Sequence, residues 1–77
     1  MKYKIKSHLR VVMHNNDLKS LKSVEDITGL SKPTIVKIDN GDVLSMSLGK
    51  LLTVCDKLNC TFPELIELID IKAEENN

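Results

Sequence analysis

Aliphatic side chains recurring at helical spacing, few glycines and only two prolines, and an almost complete lack of aromatics predict an all-α fold of five short helices. The chain has 77 residues, 42% of them hydrophobic and only 3% aromatic. That length holds one domain with one small core. The hydrophobic fraction is too high for a disordered chain. With Tyr3 and Phe62 the sole aromatics, the core must be built from Leu, Ile and Val. So small a core is marginal, and a dimer partner is expected to supplement it.

Residues 1–6 read as an N-terminal extension, the domain proper as 7–71, and 72–77 as a flexible tail. The extension alternates Lys with Tyr3 and Ile5, a pattern that suits a strand or an early start to the first helix. Ser7 is the candidate cap of that helix, with Leu9, Val12 and Met13 as its buried stripe. Asn15, Asn16 and Asp17 form the turn that ends it, and Leu18 covers the core from the connection. The second helix follows Ser20 or Ser23, with Asp26 placed to complete a capping box from Ser23. Leu21, Val24 and Ile27 give it one apolar stripe.

Residues 20–41 carry the strongest local signal. Gly29 can take the positive φ that stops the second helix, and Ser31 can cap a third. Pro33 falls in that helix's first turn, where a missing N–H is harmless, and Gly41 supplies its stop. Ile35 and Ile38 point one way, while Lys32, Pro33, Val36, Lys37 and Asn40 point the other. Two short helices joined by a Gly-containing turn, the second with an exposed basic stripe, make a helix-turn-helix.

Val43 and Met46 tuck the next loop against the body, and Ser47 caps a fourth helix. Leu48, Leu51, Leu52, Val54, Cys55 and Leu58 make that helix the most apolar and place it at the centre of the core. After the break at Asn59 and Cys60, Thr61, Phe62, Pro63 and Glu64 spell a capping-box start. A fifth helix would pack through Phe62, Leu65, Ile66 and Ile69, leaving Leu68, Ile69 and Ile71 as a dimer surface.

Formal net charge is zero, yet charge is unevenly placed. Residues 1–37 carry eight basic against three acidic side chains, and residues 38–77 carry three against eight. Such polarity lets a basic face meet phosphates while an acidic end points away. No apolar run approaches the ~18 residues of a membrane span, so the expected location is the cytoplasm. Cys55 and Cys60 read as small buried thiols, and His8 and His14 have no partners at metal-ligand spacing. Without a nucleophile–base pair, phosphate loop or metal cluster, the sequence gives no reading as an enzyme and calls for no cofactor, metal or small-molecule ligand.

The order and spacing of Ser20-Leu21, Thr28-Gly29-Leu30-Ser31, Thr34-Ile35 and Ile38-Asp39-Asn40-Gly41 resemble the Cro/CI-type (XRE-type) helix-turn-helix regulators. The run from Leu51 to Ile66 is similar to the fourth and fifth helices of the small single-domain members. This resemblance covers roughly residues 7–70. It implies a lambda-repressor-like bundle with the third helix in the major groove of double-stranded DNA, and a transcriptional repressor working as a homodimer. It places Lys32, Pro33, Val36 and Lys37 at recognition positions, with Ser31, Thr34, Asn40, Lys22 and Ser45 near bases or phosphates. Two departures stand out. Glu25 occupies a position the family fills with a small residue, and Leu21 replaces a polar phosphate contact. The exposed stripe also lacks the Arg and Gln that read bases bidentately. A second reading therefore stays open: a protein-interaction module on the same fold, such as an anti-repressor or antitoxin component.

Overall fold

The computed structural model describes residues 3–71; the expected tail at 72–77, like Met1 and Lys2, lies outside the described residues. Four helices of the expected bundle form: α1 (Leu9–Asn15), α2 (Leu21–Thr28), α3 (Lys32–Asn40) and α4 (Leu48–Lys57). The fifth is a single turn, α5 (Phe62–Leu65). The chain then runs straight into a strand, β2 (Ile66–Asp70), which pairs antiparallel with β1 (Tyr3–Ser7). Ser7 lies opposite Ile66, Ile5 opposite Leu68 and Tyr3 opposite Asp70. The fold is therefore not all-α: a two-stranded ribbon joins the first and last elements.

The core is aliphatic, as composition requires. Leu9 from α1, Val24 from α2, Ile35 and Ile38 from α3, Val54 from α4 and Leu65 from α5 are all fully buried. Each such side chain contributes roughly 1.5–3 kcal/mol by leaving water. Ile66 is buried at the root of β2, and Ile5 and Phe62 pack against the same cluster.

Several local expectations need correction. Ser20 alone caps α2, accepting from the Ser23 N–H, so no box from Ser23 forms; Asp26 instead pairs with Lys22 at 3.2 Å. Ile27 is exposed and Thr28 takes the buried place, because its hydroxyl donates to Val24 O at 2.7 Å and is satisfied. Ser7 is the last residue of β1, and His8 holds the cap position of α1. Ser7 still accepts from the Leu9 N–H at 3.3 Å. On α4, Leu48 and Leu52 face outward, leaving Leu51, Val54 and Cys55 as the buried stripe.

Candidate nucleic-acid interface

Helix α3 is presented by its two neighbours in chain order. Gly29 stops α2 at φ 74°, and Gly41 stops α3 at φ 78°. With Ile35 and Ile38 buried, the opposite stripe of Pro33, Lys37 and Asn40 is exposed. Val36 is half-buried beside them, and Lys32 is exposed in the first turn.

One flank of α3 is tied to α1. Arg10 donates from Nε and one terminal nitrogen to the two carboxylate oxygens of Asp39, both at 3.0 Å. This fork geometry fixes orientation as well as distance. The hydrogen bond to Asp39 and its charge both raise the Arg10 pKa, so the guanidinium stays charged. The end of α3 rests on the ribbon: a Cβ at Gly41 would stand 3.2 Å from Ile5 O.

The other flank opens on a polar groove of about 140 Å³ between α3 and the start of α4. Thr34 and Lys37 line it from α3, Ser45 and Ser47 from the intervening turn, and Lys50 from α4, with Asp42 as its one acid. Ser47 caps α4 by accepting from the Lys50 N–H. Ser31, by contrast, has no bond to a backbone N–H of α3; its hydroxyl meets Thr34 Oγ1 at 2.9 Å. Ser31 thus holds the cap position by backbone conformation alone.

The first turns of α2, α3 and α4 contain no acid, and each contains a lysine: Lys22, Lys32 and Lys50. A cation there opposes the helix macrodipole by about 0.3–1 kcal/mol, whereas an anion is favoured by free N–H groups and dipole together. Only α5 has the acid that folding alone would select, Glu64. Lysines so placed are poor for stability and well suited to phosphates.

Of the residues singled out in the sequence, the structure gathers Thr34, Lys37 and Ser45 in one groove. Lys32, Pro33, Val36 and Asn40 share α3 without lining the groove, and Lys22 is held by Asp26 on α2. Sequence reasoning missed Lys50 and the Arg10–Asp39 tie. For Lys50 a signal existed: a lysine three residues after the cap Ser47, where an acid is the stabilising choice. For Arg10 and Asp39, 29 positions apart, none did.

The family profile of the Cro/C1-type HTH DNA-binding domain matches residues 8–70. The chain belongs to this family. It is also similar to a solved structure, that of the transcriptional regulator VanUg, at 27% identity with a TM-score of 0.75 over 91% of each chain. A search of curated proteins gives no match. Double-stranded DNA is thus the partner of this domain, and α2 and α3 are its helix-turn-helix.

Proposed function

We propose that this protein is a transcriptional regulator, a repressor of the phage and mobile-element kind, that binds its operator with α3 in the major groove. The observation that carries the reading is the groove in which Thr34, Lys37, Ser45, Ser47 and Lys50 converge beside the exposed stripe of α3. Its two ammonium groups and three hydroxyls are donors of the type that bind phosphate oxygens and fix register on a duplex. Lys37 also belongs to the exposed stripe, from which it can reach guanine O6 and N7. Pro33 and Val36 offer apolar contact to a thymine methyl, and Asn40 with the first turn of α3 approaches the backbone. Similarity to VanUg supports the regulatory role, and occupancy of an operator would block transcription in the cytoplasm. One nine-residue helix reads one half-site, so the working unit is a homodimer on a pseudo-palindrome with half-sites about 34 Å apart.

The test is affinity for mixed-sequence and selected duplexes as a function of salt. Four lysines, Lys22, Lys32, Lys37 and Lys50, would release counterions, giving a log–log slope of about −3 to −4. Lys50→Ala should lower the slope by about 1 and weaken all sequences alike. Lys37→Ala should additionally lose roughly 1–3 kcal/mol of preference for the selected sequence. Binding that is absent or flat in salt would sink the regulator and favour the protein-interaction reading instead.

A further inference from the structure

Helix α4 ends in a closure that places two sulfurs side by side. Leu58 holds its C-cap position and is fully buried, and Asn59 follows in the left-handed region at φ 52°. The Cys60 N–H then donates back to Cys55 O at 2.9 Å, around a 3.4 Å bond from the Asn59 N–H to Asp56 O. These nested bonds make a Schellman motif, whose outer bond brings the side chains of the two residues it joins into contact. Cys55 and Cys60 are those residues, and each thiol is the other's hydrogen-bond partner. A small apolar residue would serve the motif at either position. Cysteine at both puts two oxidisable groups within reach of one bond, because a disulfide asks for Cβ atoms only about 4 Å apart.

The pair also has an entrance. Cys55 is buried, but Cys60 is half-buried and forms part of the wall of a cavity of about 340 Å³ between α1 and the α4–α5 junction. Val11, Val12 and Pro63 give that cavity apolar walls, and Glu64 stands at it with a carboxylate whose pKa is lowered by its bonds with Thr61. Among the described residues, no Lys or Arg lines it. Half of a small disulfide can therefore sit against Cys60, and a cationic one is favoured by the Glu64 charge.

We infer that Cys55 and Cys60 are a reversible disulfide site, entered through Cys60 by small cationic disulfides of the aminothiol class. The Cys60 thiolate attacks one sulfur of the oxidant, whose S–S bond breaks, and the departing aminothiolate takes up the proton that Cys60 lost. The Cys55 thiolate then attacks Cys60 Sγ, forms the Cys55–Cys60 bond and expels the second aminothiolate, which takes up the Cys55 proton. Two protein thiols are oxidised, and one disulfide is reduced to two thiols. Burial keeps Cys60 largely protonated at neutral pH, so the exchange runs on the order of minutes to hours. The new bond closes a loop at the far end of α4 from Ser47 and Lys50, and so stabilises the fold while leaving the polar groove intact.

Intact-mass measurement of the whole native chain after incubation with cystamine tests this. Wild type should lose two hydrogens and retain no adduct, its Tm should rise by roughly 5–10 °C, and dithiothreitol should reverse both changes. Cys55→Ala should stop at a single cysteamine adduct on Cys60, because no second thiol expels it, and Cys60→Ala should stay unmodified over the same time. Cystamine should react faster than oxidised glutathione, an anion, and lose most of that advantage with Glu64→Gln, which can keep the capping box of α5. Two adducts on native wild type, disulfide-linked dimers, or an intrachain bond that forms only in denaturant would each overturn the inference. So would a Cys60→Ala chain modified as fast as Cys55→Ala, since entry would then not be through Cys60. An advantage of cystamine that survives Glu64→Gln would remove the selectivity for cations. The wild-type outcomes need no variant, so a substitution that fails to fold leaves the test standing.

Discussion

Gly41 and Gly29 share a positive φ but differ in what surrounds them. A Cβ at Gly29 meets nothing within 4 Å, so Gly29→Ala carries only the conformational penalty, about 1 kcal/mol. At Gly41 the same penalty is joined by a 3.2 Å approach to Ile5 O, a backbone atom that moves only with its strand. Gly41→Ala should therefore cost about 2 kcal/mol or more. Because the displaced strand lies against the end of α3, it should also weaken DNA binding, as Gly29→Ala should not. Paired thermal melts and binding isotherms of the two variants check this. A second expectation concerns the thiols. Burial is the main cause that pushes Cys60 up to about 11, and the neighbouring Cys55 adds to it; burial likewise raises Cys55. At pH 8 Cys60 stays protonated, so iodoacetamide should label it on the order of 100-fold more slowly in the native protein than in the unfolded chain, and Cys55 should be slowed in the same direction. Equal rates would show that the thiols are open to solvent.

The segment from Thr61 to Asp70 shows most clearly what a sequence does and does not reveal about an element. Its start is spelled locally, and the box forms as written: the Glu64 N–H donates to Thr61 Oγ1, and Glu64 Oε1 accepts from the Thr61 N–H at 2.8 Å. Its continuation is not spelled locally. Leu65, Ile66 and Ile69 fit a helical stripe, but Ile66 and Ile69 are β-branched and suit a pleated strand as well. What decides between them is β1, about 60 positions away, a partner that periodicity cannot see. The first four helices were readable because their caps and stripes are short-range, and the groove was half-readable because Thr34 and Lys37 share one helix. The Glu64 carboxylate also gives α5 a pH dependence. Bonds from Thr61 lower its pKa, so its stabilising effect is complete above the ordinary carboxylate range and is lost as pH falls through the lowered value. Melting temperature should therefore drop below about pH 4, and Thr61→Ala should flatten that step while removing about 1 kcal/mol at neutral pH.

A chain with zero net charge that binds DNA must do so through placement, and the placement here carries a stability consequence for the whole domain. Lys22, Lys32 and Lys50 sit where each opposes a helix dipole, so the unbound protein retains unfavourable terms that a phosphate would cancel. A domain of 77 residues has roughly 4–11 kcal/mol of stability in total, and such terms are a sizeable part of it. DNA should therefore act as a strong stabiliser. A duplex present at 100 times its Kd adds about 2.7 kcal/mol by mass action. For a domain of this size that raises Tm on the order of 10 °C. The rise should shrink as salt is added, because the affinity behind it is largely electrostatic. Lys50→Ala should behave differently in the two states. Without DNA it should melt no lower than wild type, since a cation at a helix N-terminus is removed, and with DNA its rise in Tm should be smaller. Melts with and without duplex at 50 and 200 mM salt decide the point. A Lys50→Ala protein that loses stability without DNA and keeps the full rise with it would mean that Lys50 serves the fold and not the phosphates.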